Sequence, residues 1–245
     1  FARDVQSSST VKISANTAGT GLGNGDSQSA SMDATGRYVA FQSAASNVAT
    51  NDTNTGLDVF LRDRVAGTTT LVSVNTAGVS STATSSGSPV LSKQGNVVVF
   101  LSTANNLVAN DTSLSGADLF RRDLVAGTTT LIASGVSLLA YSPAARFVPA
   151  LSADGRFVLY QDAGRNLLLF DAVTASNTTV ATNLSTADAA MSDDANWIVY
   201  VGAPETTGVQ NIYLYDRLGG TTELISVREP GLPVNAGSGA SRMIP

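Results

Sequence analysis

The chain has 245 residues, 14 Lys and Arg against 19 Asp and Glu, a formal charge of -5 and a pI near 4.6. Neutralising phosphates needs clustered Lys and Arg, and the longest basic pair here is Arg121-Arg122, so a nucleic-acid surface is excluded. The absence of cysteine and histidine removes disulfides, thiolate metal sites, the usual general base near neutral pH and the commonest transition-metal ligand.

The 43% hydrophobic and 13% charged content is that of a globular chain with ample material for a core. No apolar stretch approaches the roughly 20 residues that a membrane-spanning helix needs.

From the first residue the chain reads as repeats. Phe1-Ala-Arg-Asp4 followed by Thr10 to Ser14 resembles the end of one unit, and two phrases then alternate. The first is Met32-Asp-Ala-Thr-Gly-Arg-Tyr-Val-Ala-Phe41, Leu91-Ser-Lys-Gln-Gly-Asn-Val-Val-Val-Phe100, Leu151-Ser-Ala-Asp-Gly-Arg-Phe-Val-Leu-Tyr160 and Met191-Ser-Asp-Asp-Ala-Asn-Trp-Ile-Val-Tyr200. It predicts a tight turn, with Gly36, Gly95 or Gly155 supplying positive φ, leading into a strand buried on both faces. The second phrase is Asp58-Val-Phe-Leu-Arg-Asp63, Asp118-Leu-Phe-Arg-Arg-Asp123, Asn166-Leu-Leu-Leu-Phe-Asp171 and Asn211-Ile-Tyr-Leu-Tyr-Asp216. It predicts a strand that ends at an aspartate. A Gly/Thr-rich turn and a further strand follow, at Thr70 to Val74, Thr130 to Ala133, Thr179 to Ala181 and Glu223 to Val227.

A weaker fourth strand precedes each first phrase, as in Ser88-Pro89-Val90-Leu91 and Phe147-Val148-Pro149-Ala150-Leu151, where proline suits a strand edge. Four strands per unit make the blade of a β-propeller. The expected architecture is all-β, one domain over 1–245, with repeat units of about 5–63, 64–123, 124–171 and 172–216. Partial repeats stand at both ends, with Ala240 to Pro245 placed as an opening strand. Four complete blades plus a partial one fit a five-bladed ring or part of a six- to eight-bladed one.

These motifs resemble the bacterial WD40-like repeats of TolB-type β-propellers over nearly the whole chain. The fourth unit departs most, with Ala195-Asn196 in place of Gly-Arg, and the third lacks the Arg-Asp ending. The resemblance implies a secreted or periplasmic propeller used for protein contacts, as one module of a larger surface protein.

Chemistry is sought where the units differ. Asp58 follows Phe41 by 17 positions and Asp118 follows Phe100 by 18, but Asn166 follows Tyr160 by only 6 and Asn211 follows Tyr200 by 11. The long loops of the first two blades are therefore the expected binding surface, through Asn47, Asn51, Thr53, Asn106, Asn110 and Thr112. Asp52, Asn54 and Asp58, like Asp111, Ser113 and Asp118, place hard oxygens at near-alternate positions beside a glycine, a pattern that suits Ca²⁺. The same side chains also suit capping of their own turns.

The recurrent Asp63, Asp123, Asp171 and Asp216 are read as turn acceptors rather than a carboxylate ring. Arg37 and Arg156 are expected to lie over a neighbouring blade and pair with an acid, and Trp197 to sit in the core. Asn51, Asn110, Asn177 and Asn183 head N-glycosylation triplets of the kind that arise by chance in a Ser/Thr-rich chain. No Gly-x-Ser-x-Gly elbow occurs, and Ser-His-Asp chemistry needs a histidine.

The expected function is a non-catalytic, extracytoplasmic interaction scaffold or accessory subunit of a membrane or cell-surface assembly, without nucleic acid. The alternatives are a carbohydrate-active or glycan-binding propeller, whose carboxylates would do the work, and the regulatory propeller of a larger enzyme. No cofactor is expected beyond candidate Ca²⁺.

Overall fold

The computed structural model describes residues 1–81, 85–113, 116–136, 149–184, 188–202 and 210–226. Every regular element among them is a strand. The chain forms two compact units, Phe1–Val136 and Ser137–Pro245.

In the first unit β1 (Ala2–Arg3) pairs antiparallel with β2 (Thr10–Val11). Two four-stranded meanders follow. The first comprises β3 (Ser27–Met32), β4 (Tyr38–Ser43), β5 (Asp58–Asp63) and β6 (Thr68–Leu71), and the second β7 (Ser86–Leu91), β8 (Val97–Ser102), β9 (Ala117–Asp123) and β10 (Thr128–Val136). The second unit holds two more: β11 (Ala150–Leu151), β12 (Phe157–Gln161), β13 (Leu167–Asp171) and β14 (Ser176–Ala181), then β15 (Ala189–Met191), β16 (Trp197–Gly202), β17 (Asn211–Asp216) and β18 (Thr221–Leu224).

All neighbours are antiparallel and joined in sequence order. The outer strands begin directly after the turn glycines, two residues earlier than expected at Thr68 and Thr128, because the turn is tight enough to pair Asp63 with Thr68 and Asp123 with Thr128. The strand expected at Phe147 to Leu151 is described only from Pro149 onward, and Ala240 to Pro245 lies outside the described residues.

The two phrases have local causes. In the first, a side-chain oxygen at the head of the turn accepts the backbone N–H five residues on. Asp33 takes Tyr38 N at 2.8 Å, and Ser92, Ser152 and Ser192 take Val97, Phe157 and Trp197 at 3.1, 2.9 and 3.0 Å. That closure forces positive φ at the fourth turn position, where Gly36, Gly95 and Gly155 all stand at +71° and Ala195 at +57°. In the second, the terminal carboxylate caps its own turn: Asp63 accepts Val65 N and Ala66 N, and Asp123 and Asp216 repeat the pattern. Asp171 accepts Val173 N, and Asp4 accepts Gln6 N and Ser7 N in the same capping pattern.

Burial on both faces follows from the strand period of two. Val39, Phe41 and Phe60 enter one core with Ile13, Ala45, Val48 and Leu71. Ala40, Val59 and Leu61 enter the other, against Leu91, Val98, Phe100 and Phe120 of the next sheet. Cross-strand rings stack within sheets, Phe41 on Phe60 at 5.6 Å, Phe100 on Phe120 at 5.8 Å and Tyr200 on Tyr213 at 5.5 Å between centroids. Backbone bonds at equivalent turn positions join successive sheets, Ala34 N to Lys93 O at 2.9 Å and Ala153 N to Asp193 O at 2.7 Å. Pro89 sits on edge strand β7 within the irregularity between Gly87 and Val90, where no ladder donor is missed.

Two expectations change. Arg37 and Arg156 do not cross to a neighbouring sheet: each pairs with the acid of its own sheet, Asp63 or Asp171, at 2.7 Å and lies over the aromatic residue beside it. The cross-strand partner is simply nearer. Trp197 is 49% exposed, whereas Phe157 in the same slot is 7% exposed. Phe157 is covered by Arg217 from the following sheet, 4.5 Å from the ring centroid, and among the described residues no sheet follows β18 to cover Trp197.

Candidate functional site

The loop joining β4 to β5 is half core. Ala45, Val48 and Ala49 are at most 3% exposed and pack with Phe41 and Phe60. Asn47 ties this loop to the preceding segment, its backbone oxygen accepting Thr17 N at 2.8 Å and its Oδ1 accepting Asn24 N at 2.9 Å. Asn51 donates through Nδ2 to Gly78 O at 2.9 Å. Of the three expected contact residues here, Thr53 is the exposed one, and its backbone N–H is held by Ser80 Oγ at 2.8 Å.

The structure brings Asp52, Asn54 and Asp58 together. Asp58 is 1% exposed, with Oδ1 accepting the Ser73 hydroxyl at 2.7 Å and Oδ2 accepting Asn54 Nδ2 at 2.8 Å. Asn54 also donates to Ser81 O at 2.6 Å, and its backbone N–H reaches Asp52 Oδ1 at 3.3 Å. Burial pushes the Asp58 carboxyl up to about 6 against the pull of Ser73 and Asn54, with the Asp52 charge adding a little.

The loop joining β8 to β9 repeats this plan with different donors. Ala104 and Leu107 are buried, Asn106 is half-buried with its backbone oxygen accepting Thr76 N at 3.1 Å, and Asn110 and Thr112 are exposed. Asp111 and Asp118 are 9% and 2% exposed. Asp111 Oδ1 accepts Ser113 N at 3.0 Å, and Asp118 Oδ1 accepts Gly135 N at 2.6 Å. Burial raises the Asp118 carboxyl above its ordinary value, and the Asp111 charge pushes the same way. Among the described residues no three His, Cys, Asp or Glu gather, so a cation here would combine two carboxylates with neutral oxygens.

The first loop and the start of the second border a notch of about 680 Å³, lined by Thr53, Asn54, Thr55, Leu57, Ser85 and Thr103. Thr55, Ser85 and Thr103 were not among the expected contact residues. Ser85 and Thr103 are hydrogen-bonded neighbours at the paired ends of β7 and β8, and the packing of one sheet on the next brings Thr55 to them. A larger groove of about 1190 Å³ runs between the β1–β2 pair and β3, bordered by Phe1, Ile13, Met32, Phe41 and Arg64. Its sequence signal was the opening fragment, which supplies two strands where the other units supply four.

The described sheets superpose on propeller domains of known structure. The β-propeller domain of the Trilobed protease from Pyrococcus furiosus matches with a TM-score of 0.52 and 12% identity over 82% of this chain and 57% of that one. The fold is a β-propeller. The tricorn protease matches at 0.51 and 17% identity, over 83% of this chain and 17% of that one. TolB from Acinetobacter baumannii matches at 0.46 and 13% identity, over 90% of this chain and 46% of that one. The chain thus spans less than two thirds of each of these structures, and at such identities the likeness speaks for the fold alone. No family model matches the chain, nor does any curated protein.

Each four-stranded sheet is accordingly a blade, and both long loops stand on the first two complete blades. No helix among the described residues is long and apolar enough to cross a membrane.

Proposed function

We propose that this propeller is a non-catalytic, extracytoplasmic interaction module that engages a partner protein through the loop face of its first two blades. The observation that carries the reading is the notch where the first long loop meets the start of the second, lined by the exposed hydroxyls of Thr53, Thr55 and Thr103 with Asn54 and Ser85 beside them. The bases of the loops are core residues, so the tips are held on a rigid platform that pre-organises the surface and lowers the entropic cost of binding. The absence of histidine favours recognition over acid–base chemistry near neutral pH. The extracytoplasmic placement rests on the resemblance of the repeats to TolB-type propellers.

Deleting the loops would take Val48 and Leu107 out of the core, so the test uses charge on the tips. Thr53→Arg with Thr103→Arg should abolish co-purification of cross-linked partner from the cell envelope while leaving the melting curve unchanged. Val125→Arg, on an 85% exposed turn elsewhere, should leave co-purification intact. Undiminished capture by the double variant would refute the reading.

A further inference from the structure

The first two blades carry related loops, and they satisfy the oxygens of their buried carboxylates differently. Asn54 and Ser73, which donate to the two oxygens of Asp58, correspond in the repeat to Ser113 and Ala133. The second blade therefore lacks the amide and has a methyl where the buried hydroxyl stood. Asp118 keeps Gly135 N on Oδ1, with the Ser113 side chain in reach. Asp111 Oδ2 is buried and has no hydrogen-bond partner among the described residues. Neither carboxylate forms an ion pair among those residues.

Two adjacent carboxylates, 9% and 2% exposed, with one oxygen unpartnered, are an expensive arrangement in a dry site. Such groups are stabilised either by sharing a proton or by a cation. We propose that the second blade binds one hard divalent cation of the Ca²⁺ type between Asp111 and Asp118, with Ser113 as a neutral oxygen ligand. Ca²⁺ takes oxygen ligands from carboxylates, neutral protein groups and water in flexible geometry, and two carboxylates balance its charge. The equivalent oxygens of Asp58 in the first blade already accept Ser73 and Asn54, so that loop binds none. The proposal is independent of the partner-binding reading, since it concerns what holds one loop together.

The experiment is thermal unfolding of the 245-residue chain in Ca²⁺ and in EGTA, with calorimetric titration of Ca²⁺ alongside. Wild type should bind one ion and melt roughly 3–6 °C higher at ten times the dissociation constant. Asp111→Asn should abolish both signals, and Asp52→Asn should retain them. Ser113→Asn combined with Ala133→Ser installs the first blade's donors; it should fold, melt higher in EGTA than wild type, and no longer respond to Ca²⁺. Identical curves in Ca²⁺ and EGTA, a response that survives Asp111→Asn, or a response lost with Asp52→Asn would each overturn the site.

Discussion

Arg37 grips Asp63 through two nitrogens, Nη2 to Oδ2 at 2.7 Å and Nε to Oδ1 at 3.1 Å, across the β4–β5 ladder. Arg156 holds Asp171 the same way at 2.7 and 2.8 Å. These forks do two jobs, because the same carboxylates cap the turns that follow. In the fourth blade Asn196 replaces the arginine, and Arg217 instead reaches back to Ala195 O at 2.9 Å and to Asn196 Oδ1. The brace at that end of the blade is thus kept by a different residue.

Stability should pass through a maximum near pH 4. The arginine beside it holds Asp171 down at about 2, and Asp63 is depressed further, so their stabilisation is present above 3.8 and lost as pH falls through the folded values. Asp58 works in the opposite sense. Its folded value of about 6 lies above the ordinary 3.8, so its contribution is greatest below 3.8, declines as pH rises to about 6 and is flat beyond. The decline is at most about 3 kcal/mol. Urea midpoints from pH 2 to 8 check this: Asp171→Asn should flatten the acid limb and Asp58→Asn the limb between pH 4 and 6. A profile rising steadily from pH 3 to 7 would contradict it.

Phe60→Ala should destabilise by about 3–5 kcal/mol, since the ring is fully buried and stacked on Phe41, and the strands around it are pinned by their ladders. Val65→Ala, at a 77% exposed turn position of the same blade, should change stability by less than about 0.5 kcal/mol. Chemical denaturation distinguishes the two, and similar losses would contradict the assignment of the core.

Gly95→Ala should cost about 2–3 kcal/mol. A side chain at φ +71° is strained, and the added Cβ would meet Tyr38 Cδ2 of the preceding blade at 2.8 Å. Gly78→Ala has φ +81° and nothing within 4 Å, so it should cost only the strain, about 1–2 kcal/mol. Equal losses at the two sites would show that Tyr38 yields freely.

What the sequence determined by itself was the repeating unit, because its information is local. A turn oxygen at Asp33 or Ser92, a residue with positive φ three positions on, a run of apolar β-formers and a capping aspartate each act within a few residues, and they recur. Neighbour choice is another matter. That Arg37 turns to Asp63 rather than to the next blade, that Trp197 stays half exposed while Phe157 is covered by Arg217, and that Thr55 meets Ser85 and Thr103 at one notch depend on how one sheet lies on the next. The candidate cation loops show the same division. Asp52, Asn54 and Asp58 and Asp111, Ser113 and Asp118 look alike in sequence, and only the fold shows that Ser73 closes on Asp58 in the first blade while Asp118 takes Gly135 N and Asp111 Oδ2 is left without a partner among the described residues.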